Sequence, residues 1–372
     1  MIEEIKVIYG GAGCGKTQRL VEEAVKAEAE HKTFIILAPT HSAKHNLFER
    51  FEKLEHPLSK ELFKTTYSYF HINWEKNDVI GPKNFYDIVF IDEFGLIKKE
   101  LFKKMMSALN VVKNNIKVII AGDVVQLSPI YEEKVYISTT RLNKYYEKVP
   151  SYITEHDYKS LFSLKYIRDA TKDLLKHNYR SDSNVLKIIH SIFYEKDLSV
   201  VKTITLSKVV YLIINKGYVF ISSKYELHDL VYKTIVSQLP NKIIIKDLAF
   251  YEGASFMVVE NTRQVHNGDI LKFVKIEQKK VILKKDDDTE IEWDNNFKIT
   301  PAQLLTSHKA QGLSIPKVIV CIDDMFDISM FYTMCTRAMS DLKFFTYKRV
   351  INSEELSINV NKFHDLLEFY NY

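Results

Sequence analysis

The sequence predicts an α/β protein made of two parallel-sheet domains with a small β-rich insertion, and three observations carry that expectation. An apolar run, Ile5-Lys6-Val7-Ile8-Tyr9, passes through a glycine-rich turn into Leu20, Val21, Ala24, Val25 and Ala27 at helical spacing. Three more short apolar runs, Thr33–Ala38, Asp87–Ile91 and Lys117–Ala121, each end in a polar loop. Runs without alternation read as strands buried on both faces, as in a parallel sheet covered by helices. The third observation is that the αβ alternation resumes at Asn178-Tyr179-Arg180, after a mixed stretch.

The glycine-rich turn is Gly10-Gly11-Ala12-Gly13-Cys14-Gly15-Lys16-Thr17. Strand, turn and helix in that order make G-x-x-x-x-G-K-[ST] a phosphate site. The glycines let backbone N–H groups face phosphate oxygens, and the helix N-terminus adds favourable partial charge. Lys16 would neutralise the β- and γ-phosphates, and the Thr17 hydroxyl would sit on Mg²⁺.

Composition bounds the rest. A chain of 372 residues suggests two or three domains. Hydrophobic content of 46% with 22 Phe and 22 Tyr excludes a disordered chain. A formal charge of +4 neither demands nor excludes nucleic acid, because basic surface can be confined to one groove. The three cysteines, Cys14, Cys321 and Cys335, are dispersed, which fits a reducing compartment without a disulfide framework or a zinc site. The first strand begins close to Met1 and no apolar run would cross a bilayer, so a soluble cytoplasmic protein is expected. The lysine pairs Lys98-Lys99, Lys103-Lys104 and Lys284-Lys285 read as solvated faces.

Along the chain, Pro39-Thr40-His41-Ser42 leads into a helix over Ala43–Phe51. A polar, aromatic stretch from Tyr67 to Tyr86 forms a small accessory insertion. The strand ending at Ile91 runs into Asp92-Glu93, and the one ending at Ala121 runs into Gly122-Asp123-Val124-Val125-Gln126. Sites on open α/β sheets lie at the carboxyl ends of the strands, so the glycine loop, the acidic pair and Gln126 are expected on one edge. Residues 131–176 read as mostly helical connection. Beyond them the pattern predicts a helix over Asn184–Tyr194, strands over Val209–Ile214 and Tyr218–Ile221, and a helix over Glu226–Leu239. From Lys242 to Trp293, short alternating runs with turns at Asn267-Gly268-Asp269 and Asp286-Asp287-Asp288 suggest a small antiparallel barrel or hairpin insertion. A strand over Val318–Asp323, a helix over Ser329–Met339 and a strand over Lys343–Tyr347 close the chain. The expected domains are 1–176, 177–247 with 301–372, and an insertion over 248–300.

Asp92 suits an Mg²⁺ held through the Thr17 side, and Glu93 can polarise a water in line with the γ-phosphorus. Gln126 can donate to one partner and accept from another, as positioning an attacking water requires. Hydrolysis also needs positive charge across the γ-phosphate, and the second αβ half offers Arg180 and Arg337. Taken alone, each arginine reads first as a surface ion pair. If both reach the nucleotide, it lies in a cleft between the halves and clamps them until it is hydrolysed.

The order of motifs resembles superfamily 1 helicases of the RecD/Dda-type group. The resemblance rests on residues 10–17, Ala-Pro-Thr-His-Ser-Ala at 38–43, Asp-Glu-Phe-Gly at 92–95 and Gly-Asp-Val-Val-Gln-Leu-Ser-Pro at 122–129. It continues through Asn-Tyr-Arg-Ser at 178–181, Thr-Ser-His-Lys-Ala-Gln-Gly-Leu-Ser at 306–314 and Tyr-Thr-Met-Cys-Thr-Arg-Ala at 332–338. It implies two RecA-like P-loop NTPase domains with an SH3-like insertion in the second. It also implies ATP-driven translocation on single-stranded DNA, usually 5′ to 3′, with unwinding of forked or tailed duplex. By motif match, Lys16, Glu93, Gln126, Arg180 and Arg337 would be catalytic, with Thr17 and Asp92 on Mg²⁺. Residues 10–17 with Gln311 and Gly312 would hold ATP, the last two coupling it to the strand. Pro39, Thr40, His41, Thr66, Tyr69, Asn261, Thr306 and His308 would lie along the nucleic acid, where hydroxyls and imidazoles contact phosphates without reading sequence. Tyr69, Phe70 or Trp74 would stack on a base or part the duplex, although core packing suits each of them as well. Where the group commonly has Thr-x-His-Ser, this chain has Thr65-Thr66-Tyr67-Ser68. The group's adenine-reading glutamine segment has no counterpart ahead of Ile5, so the resemblance does not extend to strict ATP preference. Two other readings stay open at this point: a viral-type superfamily 1 RNA helicase, and a nucleotide-gated nucleic-acid clamp with little turnover.

Overall fold

The computed structural model of the chain describes residues 2–52, 58–73, 78–112, 115–123, 125–126, 161, 164–260, 262–278, 280–323 and 328–347. Contacts divide the chain into two compact units, with the boundary between Arg180 and Ser181.

In the first unit, β1 (Ile2–Gly10) runs through the glycine loop into α1 (Lys16–Ala29). Then come β2 (Phe34–Ala38), α2 (His41–Glu52), β3 (Phe63–Thr65) and the one-turn α3 (Thr66–Tyr69). A hairpin of β4 (Ile72–Asn73) and β5 (Asp78–Val79) precedes β6 (Ile88–Ile91), α4 (Lys99–Val112) and β7 (Ile116–Gly122). The single turn α5 (Lys165–Arg168) and β8 (Thr171–Leu175) complete the described part. Six strands form one sheet in the order β3-β2-β6-β7-β1-β8, with every pair parallel. The burial reading of the apolar runs holds, since all five residues of β2 are buried. Leu20, Val21, Ala24 and Ala27 form the inward stripe of α1 and join Ile8, Phe34, Ile36, Phe90 and Ile119 in one core. Each large apolar side chain so buried contributes about 1.5–3 kcal/mol.

The register brings three strand ends level. Tyr9 pairs with Gly122, Ile91 with Ile120 and Gly10 with Leu175. The glycine loop, Asp92 and Asp123 therefore leave the sheet along one edge, as the αβ pattern predicts.

β8 departs from expectation, because 171–175 lie in a stretch read as helical connection; residues 131–160 of that stretch, with 162 and 163, fall outside the described residues. Among the described residues it is an edge strand with one partner, and its polar sequence carries no strand signature of its own. Tertiary contacts hold it there: Asp173 accepts from Arg19 Nε at 2.9 Å and lies 3.6 Å from Lys6 Nζ.

The second unit repeats the design. It runs α6 (Ser183–Phe193), β9 (Thr203–Ile204), α7 (Leu206–Lys216), β10 (Val219–Ile221) and α8 (Tyr225–Gln238). A two-residue hairpin joins β11 (Ile243–Ile245) to β12 (Leu248–Phe250) through Lys246 and Asp247, both at positive φ. Next come β13 (Ser255–Val258), β14 (Ile270–Glu277), β15 (Lys280–Lys284), β16 (Glu290–Trp293) and β17 (Ile299–Pro301). The chain then returns through β18 (Leu304–Leu305), α9 (Ser307–Ala310), β19 (Ile315–Cys321), α10 (Ile328–Cys335) and β20 (Ala338–Phe345). The parallel sheet has the order β18-β10-β19-β20-β9. The inserted strands form an antiparallel sheet, β16-β15-β14-β13-β17, around its own core of Phe250, Phe256, Leu271, Leu283 and Trp293.

Two sequence expectations are corrected here. Residues 209–214 are helical, not a strand, because Thr205 caps the Lys208 N–H and Gly217 ends the helix at φ 67°. Val209, Val210, Leu212 and Ile213 then share one buried face. The helix expected to reach Met339 stops at Cys335. The Thr336 hydroxyl bonds to Tyr332 O and Arg337 Nε to Thr333 O, so side chains take the last-turn carbonyls and free the chain for β20. Among the described residues no helix is long and apolar enough to cross a membrane.

The cap on α7 yields a direct test. Thr205→Ala should lower unfolding free energy by about 1 kcal/mol in urea denaturation, with no change of secondary-structure content. A loss within measurement error would place the start of this helix elsewhere.

Candidate active site

The glycine loop bends where only glycine is at ease. Gly13 and Gly15 have φ 80° and 83°. Gly10 is glycine for a different reason, since a Cβ there would stand 2.4 Å from Leu175 O on the neighbouring strand. Lys16, nearly buried, turns its ammonium back to donate to Gly10 O and Gly11 O, both at 2.8 Å. The same nitrogen lies 3.7 Å from Asp123 Oδ2. Burial pushes the Cys14 thiol up despite Lys16 beside it.

Three acidic residues face this lysine-bearing loop from the adjacent strand ends. The Thr17 hydroxyl donates to Asp92 Oδ2 at 2.9 Å. Burial first, then the charge of Glu93, pushes the Asp92 carboxyl up to about 7, while the Thr17 hydrogen bond pulls the other way. Glu93 follows in the left-handed region, φ 47°, an uncommon conformation for a non-glycine residue that re-aims its side chain as the strand ends. Burial also raises Asp123, opposed by Lys16, by the Val125 N–H and by Gln126. Gln126 Nε2 donates to Asp123 Oδ2 at 3.0 Å, so the loop glutamine is linked to Lys16 through Asp123. A Cβ on Gly122 would meet the Phe94 ring at 2.7 Å, which keeps the Asp123 loop close against the Glu93 turn. Sequence reasoning passed over Asp123; its signal was its place directly after Gly122 at the end of a buried strand.

Arg180 belongs to the first unit, whereas the sequence assigned it to the second half. The segment beyond β8 is bonded to the glycine loop: Asn178 Nδ2 donates to Ala12 O at 2.7 Å, and the Tyr179 N–H to Gly13 O at 2.9 Å. Tyr179 is 75% exposed, and a Cβ at Gly15 would lie 3.6 Å from its ring. An exposed aromatic beside a phosphate loop can stack on a nucleobase, a role not assigned from sequence.

The remaining candidates lie in the second unit. Arg337 is buried, with Nε donating to Thr333 O at 3.0 Å, Nη1 to Leu313 O at 3.4 Å and Nη2 to Thr336 Oγ1 at 3.2 Å. It thus adjoins the Gln311–Gly312–Leu313 turn, where Gly312 has φ 81°. Thr306 caps α9 by accepting from the Lys309 N–H at 3.3 Å, and His308, two residues on, is exposed.

Of the residues expected along a nucleic acid, Thr40 and His41 are exposed and Pro39 is buried. Thr40 Oγ1 accepts from Ala43 N at 3.1 Å and so starts α2. Thr66 and Tyr69, also expected there, are both buried, because positions one and four of the single turn α3 point into the core. The Tyr69 ring meets Phe70 edge-on, its hydroxyl donates to Asn84 O, and Phe70 is fully buried. The outward side of that turn is Tyr67 and Ser68. Asn261 and Trp74 lie outside the described residues.

Residues 1–132 match a family model described as an AAA domain. Solved Pif1 helicases align with nearly the whole chain. One, from a study of unwinding at forked double-stranded DNA by two coordinating Pif1 helicases, has a TM-score of 0.61 at 17% identity, over 95% of this chain and 90% of that one. The fold is that of these solved Pif1 helicases. The Bacteroides Pif1 helicase in complex with ADP-AlF3 and single-stranded DNA aligns at TM-score 0.60 and 16% identity, covering 99% and 94%. The Candida albicans Pif1 helicase aligns at 0.55 and 14%, covering 98% and 96%. No curated protein sequence matches the chain. Within this fold the AAA match takes in β1 to β7, the segment that carries Lys16, Asp92, Asp123 and Gln126.

The raised Asp92 pKa has a signed consequence for the nucleotide-free protein. Its folded value exceeds the ordinary 3.8, so its contribution to stability is full below that pH and is lost as pH rises through about 7. Asp92→Asn should therefore raise the melting temperature at about pH 8 and leave it nearly unchanged at about pH 4. Equal melting temperatures at both pH values would mean that Asp92 is not held in this buried setting.

Proposed function

We propose that the chain is an ATP-dependent DNA helicase and translocase that moves 5′ to 3′ on single-stranded DNA as a monomer and opens forked or tailed duplex. The observation that carries the reading is the buried set at the carboxyl edge of the first sheet: Lys16 on the loop carbonyls and Asp123, Thr17 on Asp92, and Gln126 on Asp123. A carboxylate raised by burial and hydrogen-bonded to a threonine hydroxyl is a site that gains from a hard cation. Thr17 and Asp92 would hold Mg²⁺, which when bound supplies positive charge to the β- and γ-phosphate oxygens.

The chain's own residues divide the remaining work. Gly10 to Gly15 offer main-chain N–H groups to the phosphates, and Lys16 exchanges its carbonyl partners for the β- and γ-oxygens. Glu93 takes the proton of the attacking water. Gln126 holds that water by accepting from it and donating to the γ-phosphate. Arg180 and Arg337 stabilise charge on the transferring group, Arg337 by motif order, and Gln311 and Gly312 relay occupancy of the site to the strand. Tyr179 stacks on the base. Pro39, Thr40, His41, Asn261, Thr306 and His308 track the phosphate backbone. A capping hydroxyl suits that task, because it accepts from its helix and still has a proton to donate. The domain limits of 1–176, 177–247 with 301–372, and the 248–300 insertion belong to the same proposal. Solved relatives of this fold are recorded with ADP-AlF3 and single-stranded DNA and at forked DNA, which supports the substrate class.

Steady-state ATP hydrolysis with and without single-stranded oligonucleotides tests the reading, with matched RNA as a second arm. Single-stranded DNA should stimulate turnover at least about tenfold, and Lys16→Ala should reduce it about 100-fold or more while leaving the melting temperature close to wild type. On tailed duplexes, unwinding should need a 5′ tail. Turnover indifferent to every oligonucleotide would remove the motor reading, and stimulation by RNA alone would replace DNA as its track.

A further inference from the structure

The peptide that carries Arg180 does more than pass the glycine loop. Asn178 spans it with both ends of one amide. Nδ2 donates to Ala12 O at 2.7 Å, 166 residues away in sequence, and Oδ1 accepts from the Arg180 N–H at 2.8 Å. Between these bonds the Tyr179 N–H donates to Gly13 O. The fit is close enough to dictate the loop residue: a Cβ at Gly13 would stand 2.7 Å from Arg180 Cβ and 2.9 Å from the Asn178 amide atoms. The strand leading into the segment is itself tied down, since Asp173 of β8 binds Arg19 on α1 and Lys6 on β1. Only a side chain that donates and accepts at once can make this bridge, so aspartate or an apolar isostere cannot replace it.

We propose that Asn178 is a positioning residue for hydrolysis, its amide coupling the phosphate loop to the main chain of Arg180. This rests on the reading that Arg180 acts on the γ-phosphate. When phosphate oxygens draw the loop N–H groups inward, the Ala12 carbonyl on the opposite side of the loop shifts, and the amide passes that shift to Arg180. Arg180 is therefore set by the loop that binds the nucleotide, within one unit. Misplacement of a reacting group by about 1 Å costs on the order of 100-fold in rate, which sets the scale of the expected effect.

The test is a double-mutant cycle in the full chain with single-stranded DNA present, reading kcat and KM for ATP and the affinity for a fluorescent ADP. Asn178→Ala removes both bonds, and Asn178→Asp keeps the acceptor for Arg180 while removing the donor to Ala12. Both should lower kcat about 10-fold to 100-fold with ADP affinity within about twofold of wild type, because ADP lacks the phosphate that Arg180 meets. Asn178→Ala combined with Arg180→Ala should be no slower than Arg180→Ala alone. A role confined to shaping the loop would instead weaken ADP binding and add to the Arg180 loss. The inference is overturned if Asn178→Ala turns over like wild type while Arg180→Ala is impaired, or if the two losses add. Arg180→Ala at wild-type rate would also overturn it, because Asn178 would have no catalytic group to place, yet Lys16-dependent hydrolysis would leave the enzyme reading standing. No hydrolysis by the wild-type chain would sink both.

Discussion

Everything functional in the first unit depends on one ammonium group placed where carboxylates are losing water. Lys16 stands beside Asp123, with Asp92 and Glu93 close by, at the carboxyl edge of the first sheet. Burial raises Asp92 and Asp123, and Lys16 opposes it at both. Such a cluster is costly unless each charge is bonded, and here the bonds come from fixed partners: loop carbonyls, the Thr17 hydroxyl, the Val125 N–H and Gln126. Under the proposed function, such a site would take a polyanion with a divalent cation, which would supply the charges these residues lack among themselves.

Backbone geometry is what permits the cluster. The strands end level, so consecutive loops from β1, β6 and β7 converge without long side chains having to reach. Steric limits then select the glycines. Gly10 must clear Leu175 O, Gly13 must admit Asn178 and Arg180, and Gly122 must pass the Phe94 ring. Each is a contact between segments distant in sequence, so the glycine pattern of the loop records tertiary neighbours as well as a turn.

A second theme is the repeated use of threonine at the start of a helix. Thr40, Thr65 and Thr306 each accept a main-chain N–H three residues on, at the beginning of α2, α3 and α9. In this role the hydroxyl is oriented by the helix it caps. For α3 the same turn points Thr66 and Tyr69 inward and Tyr67 outward.

What the amino-acid order determined by itself was whatever local chemistry encodes. Unbroken apolar runs marked β2, β6 and β7 as doubly covered strands, and the glycine-rich run before Lys16 marked the turn between β1 and α1. The alternating runs after Lys242 marked the inserted antiparallel strands. Tertiary structure alone decided the rest. It made polar residues 171–175 an edge strand through Arg19 and Lys6, drew Asn178 onto Ala12, and so put Arg180 in the unit that holds the loop. It also buried Arg337 among main-chain carbonyls and Tyr69 against Phe70. The reason is physical: periodicity and turn residues report which face a segment will bury, whereas a partner 166 residues away is chosen only when the folded chain brings donor and acceptor together.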